Sequence, residues 1–198
     1  MMLRRDLLTS VLAIVVITVV FGIAYPLVVT GVSQVVFPGR ANGSKVHVDG
    51  RFVGSRLIGQ DFKADPRYFQ ARPSTATSYN PAATAFTNLG PNSRKARDAF
   101  ASSLHRYLAL ERRFDPGLNA RDVPVDAVTS SASGVDPHVS QANAAIQAHR
   151  VASVRRLPLA TVARLIARHT DGRFLGVIGE PGVNVLELNL ALDRNGAR

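Results

Sequence analysis

Residues 7–39 read LLTSVLAIVVITVVFGIAYPLVVTGVSQVVFPG and hold no charged side chain. A helix rises about 1.5 Å per residue and a bilayer core is roughly 30 Å thick, so about 20 apolar residues suffice to cross it. Leu7 to Leu27 meets that length, and the apolar character continues to Phe37. Each Leu, Ile, Val or Phe near the helix centre favours insertion by roughly 0.3–0.6 kcal/mol, and no charge opposes them. Residues 7–37 are therefore expected to form a transmembrane helix and its exit. A cleaved secretory signal is the competing interpretation. Its apolar core is typically about 7–15 residues and ends at a small-x-small site. Here the run is longer and its far end reads Ala24-Tyr25-Pro26-Leu27, so the segment is expected to be retained as an anchor. Arg4-Arg5 faintly suggests a twin-arginine signal, but arginines are common at a membrane entry.

Flanking charge sets the expected orientation. Arg4 and Arg5 hold residues 1–6 in the cytoplasm, which places residues 38–198 outside a cell (inner) membrane crossed once. The chain carries a net charge of +10; two Arg and one Asp in the tail leave +9 beyond Gly39. Long domains translocate largely regardless of charge. The absence of Cys excludes a disulfide scaffold and thiolate metal sites. Within the helix, Gly22 and Gly31, with Thr18, Thr30 and Ser33, offer small surfaces for close helix approach. Tyr25-Pro26 frees a backbone carbonyl and bends the helix, and in a membrane that carbonyl needs a partner. Two readings stay open: a simple kink, or a docking point against a larger polytopic subunit.

Beyond the anchor lies one domain of ordinary size. Val46-His47-Val48, Asp49-Gly50 and Arg51-Phe52-Val53 form a hairpin signal, since Asp-Gly suits the positive φ angles of tight hairpin turns. Leu57-Ile58 would prolong the second strand. Gly59 to Ser93 is polar and proline-rich, which excludes a regular helix or interior strand; a loop this long is uncommon unless it does something. Ser93 to Phe114 reads as a helix burying Phe100, Leu104, Tyr107 and Leu108, stopped by Asp115-Pro116-Gly117. Val123–Val128 could be an edge strand or a strand start. Asp136-Pro137 is the expected cap and first turn of a helix reaching Arg156, with Val139, Ala142 and Ile146 buried and Arg150, Arg155 and Arg156 near the negative end of its dipole. A third helix from Pro158 buries Val162, Leu165 and Ile166, with His169 at the core edge. Val183–Leu192 alternates and reads as a half-buried strand. The expected fold class is α+β: one N-terminal transmembrane helix, then a single mixed domain with helices on a small sheet.

Catalytic chemistry is mostly absent. Gly39–Lys45 superficially resembles a phosphate loop but lacks the Walker spacing and the strand–loop–helix setting. The five histidines are never i, i+3 or i+4 from one another, so no preformed metal site is expected. A Ser133, His138 and Asp126 triad would lack a nucleophile elbow; His138 more simply orders the helix start. The basic excess fits a solvated surface or attraction to anionic headgroups. Nucleic-acid binding would require clustered basic residues interleaved with aromatics, and none is expected.

Several stretches resemble the C subunit of the Kdp-type potassium-transporting ATPase. They include Tyr25-Pro26-Leu27, Phe37-Pro38, Ala41-Asn42-Gly43-Ser44 and Gly54-Ser55-Arg56-Leu57-Ile58-Gly59-Gln60. They continue through Tyr68-Phe69-Gln70-Ala71-Arg72-Pro73-Ser74, Tyr79-Asn80-Pro81 and Asn88-Leu89-Gly90-Pro91. The longest run from Asp126 to Ser140 and from Val183 to Leu192. Ala85-Phe86-Thr87 stands where the family tends to carry a Gly-Gly-Ser turn. The resemblance implies a non-catalytic accessory subunit with no cofactor or metal of its own, ATP and potassium being handled by the complex. It implies two partners: a potassium-binding channel-like subunit and an ATP-hydrolysing P-type subunit. It also implies a catalytic-chaperone role that raises the nucleotide affinity of the pump subunit. With only the tail in the cytoplasm, that effect would be indirect, a coupling between sites. The expected partner-contact residues are Gly22, Tyr25, Pro26, Gly31, Arg72, Pro73, Asn88, Leu89, Gly90, Pro91, Asp136 and His138. The alternative is a free-standing membrane-anchored envelope hydrolase or binding protein.

Overall fold

A computed structural model of the chain describes residues 2–74, 79–84, 88–90 and 92–196. Two compact units result, Met1–Lys45 and Val46–Arg198. In the first, α1 (Met2–Ile17) passes through a π-helical stretch, Thr18–Ala24, into α2 (Tyr25–Val36). Leu3–Val36 is thus one 34-residue helix, apolar enough to cross a membrane and not buried by the chain itself. At 1.5 Å per residue it spans about 50 Å, ample for a bilayer core with tilt. Pro26 has no N–H to give the Gly22 carbonyl, and its ring would press on that group in an α-helix. The π stretch ends at this point, with the Tyr25 N–H reaching back to the Val20 carbonyl, and the wider turn accommodates both defects. A short α3 (Pro38–Ala41) follows. Asn42 closes the exit: its Nδ2 donates to the Pro38 carbonyl at 2.7 Å and to Gln34 Oε1 at 3.0 Å. Gly39–Lys45 is therefore a helical turn leading to a strand, not a phosphate loop.

The second unit opens on the expected hairpin, β1 (Lys45–Val48) and β2 (Arg51–Ser55). Asp49 and Gly50 have φ of 50° and 76°, the pair of positive angles a tight hairpin turn needs. Leu57-Ile58 does not prolong β2. The Leu57 N–H turns back onto Ser55 Oγ at 3.1 Å. Between Gly59 and Ser93 the described residues include the 3₁₀ turn Pro81–Ala83 and no longer helix or strand. Next come α4 (Arg94–Glu111), capped by Ser93, α5 (Gln141–Arg155), α6 (Leu159–Arg168) and α7 (Val185–Gly196). A small antiparallel sheet joins β3 (His138–Val139), β5 (Gly182–Asn184) and β4 (Thr170–Asp171) in that order. Phe69, Val139, Val151, Val162, Val183, Leu188 and Leu192 form its core beside the alanine face of α5.

Five expectations need correction. Val183–Leu192 is a strand only to Asn184; the rest is α7. Asn184 Oδ1 accepts the Glu187 N–H at 3.1 Å, a helix-starting cap. The leucine alternation survives because α7 is buried nearly all round: Val185, Leu186, Leu188, Asn189, Ala191 and Leu192 are all covered. Asp136-Pro137 does not begin α5. His138 and Val139 pair with Asn184 and Val183 of β5 instead, and Ser140 caps the helix through the Asn143 N–H at 3.1 Å. On α5, Ala142 is exposed and Ile146 half-buried, while Asn143, Gln147 and Arg150 are buried; Arg150 faces the core rather than the helix end. Val123–Val128 holds a 3₁₀ turn, Val125–Ala127, just after another at Ala120–Asp122, since Pro124 lacks a ladder donor and Asp126 is drawn onto Ser140. Phe100, expected inside, is 48% exposed; the buried residues of α4 are Ala96 and Glu111, near its two ends.

Candidate functional site

The segment from Pro66 to Pro73, a turn as far as Tyr68 and irregular backbone beyond it, forms a strap across the helices, held by side chains where a sheet would use backbone. Gln147 accepts the Gln70 N–H on Oε1 at 2.8 Å and donates Nε2 to the Gln70 carbonyl at 3.1 Å. Asn189 does the same for Phe69, with both distances at 2.9 Å. An amide carries one acceptor and two donor hydrogens, so each imitates a neighbouring strand. Arg150 donates Nη1 to the carbonyls of Pro66 and Tyr68 at 2.7 and 2.9 Å. Its Nη2 reaches Gln147 Oε1 at 2.9 Å, and its Nε reaches Glu111 at 3.0 Å. Both ion-pair partners are essentially without solvent. Burial pushes the Glu111 carboxyl above its ordinary value, and Arg150 offsets only part of this. Asn143 extends the network: its Oδ1 accepts the Tyr107 hydroxyl at 2.9 Å, and its Nδ2 donates to Asp126 at 3.1 Å. Phe69, fully buried, seals the strap from above.

At the strap's end stand the candidates Arg72, Pro73, Asp136 and His138, which the fold brings together. Arg72 Nη1 donates to Asp136 Oδ2 at 3.3 Å, and Nη2 donates to the Ser130 carbonyl at 3.1 Å. Arg72 Nε is buried without a partner among the described residues. The Tyr79 hydroxyl donates to the Arg72 carbonyl; burial, then Asp61 and Asp136, raise it to about 12. Asp136 Oδ1 accepts the His138 N–H at 2.9 Å. The His138 ring lies between two carboxylates, Nε2 being 3.1 Å from Asp171 and Nδ1 3.7 Å from Asp136; the second distance is electrostatic contact rather than a hydrogen bond. Asp136 and then Asp171 raise the His138 value against burial. Burial pushes Asp136 upward, but His138 and Arg72 bring it below its ordinary value. Gly59 closes this corner. Its N–H donates to the Val135 carbonyl at 2.7 Å, and a Cβ there would stand 2.6 Å from the Asp136 carbonyl oxygen.

Pro73 and Leu89 share a groove of about 380 Å³ with Ala96, Phe100 and Val128. Asn88 and Gly90 are exposed beside it; Pro91 and the Ala85-Phe86-Thr87 departure lie outside the described residues. Gly22, Tyr25, Pro26 and Gly31 are all on the first unit, where Tyr25 is 62% exposed. A Cβ on Gly22 would meet only Thr18 Cγ2 at 3.7 Å, and one on Gly31 nothing within 4 Å, so the chain's own packing does not require glycine at either place. Nine residues apart, the two stand about two and a half turns from each other and do not share a face.

The arrangement is one of mutual fixing. Asp126 accepts from Ser140 N and Oγ, both at 2.8 Å, and Ser133 Oγ from the Val135 N–H at 3.2 Å; with His138 on Asp136 and Asp171, these three make no triad. Among the described residues no cluster of His, Asp and Glu could hold a metal ion. The clamping residues Glu111, Asn143, Gln147, Arg150 and Asn189 were missed from sequence. The available signal was polar residues at spacings of four and three, Asn143, Gln147 and Arg150, beside the apolar Ala144, Ala148 and Val151.

The family model described as K+-transporting ATPase, c chain (KdpC) matches residues 7–194, anchor and domain alike. Relatives named potassium-transporting ATPase KdpC subunit align over almost the whole chain. That of Methylococcus capsulatus is 50% identical over 186 residues, covering 93% of this chain and 95% of the relative. That of Koribacter versatilis is 46% identical over 192 residues, covering 96% and 95%, and that of Mycobacterium tuberculosis 48% over 194 residues, covering 97% and 100%. With a match spanning its membrane helix, its strap and its last helix, the chain belongs to the family of the K+-transporting ATPase c chain.

Proposed function

We propose that this chain is a non-catalytic accessory subunit of an ATP-driven potassium uptake complex. The observation that carries the reading is an apolar helix, Leu3–Val36, that the chain's own fold leaves entirely uncovered in a member of a pump-subunit family. In this reading the helix anchors the subunit in the cell membrane with residues 1–6 cytoplasmic and the domain outside. It stands beside a channel-like potassium-binding subunit and an ATP-hydrolysing P-type subunit. The helix positions Gly22, Tyr25, Pro26 and Gly31, and the domain corner around Arg72, Pro73, Asn88, Leu89, Gly90, Pro91, Asp136 and His138, supply the contacts. Support for a non-catalytic role comes from the acidic groups: Glu111, Asp126 and Asp136 are each committed to holding the fold. The subunit raises the pump's ATP affinity through assembly, because a domain outside cannot touch cytoplasmic nucleotide; the effect is a coupling free energy between distant sites.

Gentle solubilisation is the test. The chain should migrate with much larger membrane proteins, and a chain that migrates alone in mild detergent would remove the proposal. Protease added to spheroplasts should digest the domain without opening the cells. Nucleotide cross-linking to the domain in correctly oriented vesicles would defeat the indirect account of ATP affinity.

A further inference from the structure

We infer that the tip of the β4–β5 hairpin is a membrane-contacting element that dips into the surface of the same bilayer that holds the anchor helix. Phe174, Leu175, Val177 and Ile178 follow one another around this tip with 68, 79, 74 and 60% of their surface exposed. Four adjacent large apolar side chains in water form a patch that calls for a partner. The tip is not slack. Phe174 N–H donates to the Ile178 carbonyl at 2.8 Å and Ile178 N–H returns the bond at 3.0 Å, while Arg173 and Glu180 close the neck at 3.1 Å.

Local conformation does not explain the apolar choice either. Leu175 and Gly176 have φ of 53° and 78°, a turn that ordinarily takes Asn, Asp or Gly at its first central position. A leucine there is disfavoured by the backbone and gains no burial from the fold. Where a sequence breaks a local rule on an exposed tip, a functional contact is the usual reason.

A lipid surface is the occupant the rest of the molecule favours. The unit that bears the tip is tied to the membrane helix by residues 37–45, which reach at most about 30 Å when extended, so the bilayer is always present at high effective concentration. The same unit carries 20 Lys and Arg against 13 Asp and Glu, a net +7, which attracts anionic headgroups. Both acids nearest the tip are paired, Glu180 with Arg173 and Asp171 with His138, and Arg164 and Arg168 are exposed on the preceding helix. Apolar insertion by a unit of net positive charge is the combination that binds interfaces.

The chain contains no cysteine, so one introduced thiol labels one place. Full-length Val177→Cys, Leu175→Cys and, as control, Ala145→Cys on the exposed side of α5 would each carry a polarity-sensitive fluorophore. Each would be reconstituted in phosphatidylethanolamine–phosphatidylglycerol vesicles, alone and within the assembled complex. Brominated acyl chains should quench both tip labels several-fold more than the control, and aqueous iodide should quench them several-fold less, in both preparations. Tip labels as open to iodide as the control would overturn the inference. So would protection from both quenchers: in the complex only, it would assign the tip to a partner subunit, and in the isolated chain, to a second copy. Assembly is read separately by co-migration, so failure here leaves the subunit reading standing.

Discussion

Replacing Gln147 with Leu tests the strap directly. Leu matches the shape of Gln but removes four hydrogen bonds, two to Gln70 backbone, one to Arg150 and one to Asn143. Asn143 keeps Tyr107 as a partner. The Gln70 N–H, the Gln70 carbonyl and Arg150 Nη2 lose theirs, and each buried orphan costs about 1–3 kcal/mol. Gln70 is only half-buried, so water recovers part of its share, and the net loss should be about 3–4 kcal/mol. For a domain of this size 1 kcal/mol shifts Tm by about 2–4 °C, so Tm should fall by roughly 10 °C. Far-UV dichroism is a weak readout because the strap itself contains no helix or strand. The chain has no tryptophan, and near-UV dichroism of the tyrosines reports the strap through Tyr68 and α4 through Tyr107. Trypsin cleavage after Arg67, at the start of the clamp, should accelerate in parallel. Gln141→Leu, exposed on the same helix, should stay within about 0.5 kcal/mol. A Tm loss under about 2 °C for Gln147→Leu, with unchanged cleavage, would refute the strap as a side-chain-clamped strand.

Arg150→Met should cost about 3–5 kcal/mol by leaving Glu111 charged and buried. The double Glu111→Leu, Arg150→Met variant should regain only part of that in denaturant unfolding, because the Pro66 and Tyr68 carbonyls stay without donors; complete recovery would contradict the carbonyl contacts. The raised His138 value means its contribution to stability is full below 6.5 and is lost as pH rises through the folded value. Proton NMR should place its midpoint above 6.5, Asp171→Asn should lower it, and a midpoint at or below 6.5 would deny the two-carboxylate seat. Asp136 runs the other way, stabilising above 3.8 and losing that contribution as pH falls through its lowered value. Gly59→Ala should destabilise by about 1–3 kcal/mol, since its Cβ meets backbone rather than a flexible side chain. Gly43→Ala, with open space but a φ of 82°, should lose about 1 kcal/mol through conformation alone, and denaturant midpoints separate the two.

Local rules carried much of the fold. The uncharged run gave the membrane helix, Asp49-Gly50 the hairpin, Pro158 and the Val162, Leu165, Ile166 spacing gave α6, and the proline-rich stretch its lack of long helices. These depend on neighbours in sequence, so a window of residues contains the physics. Errors fell where burial on several sides or a distant partner decides. Alternating leucines in α7 looked like a strand because a helix covered all round tolerates apolar residues at every register. Asp136 looked like a helix cap because nothing nearby announces that β5, more than forty residues on, will pair with His138 and Val139.

Sequence by itself determined the anchor, the α+β character and, through its motifs, the family. Only the tertiary structure decided what those motifs do. Gln70 and Gln147, Phe69 and Asn189, Arg150 and Glu111 are far apart along the chain, and each polar group gains its value only where water has been removed. The clamp has no local signature because its stability is that of buried hydrogen bonds, and burial is a property of the assembled fold.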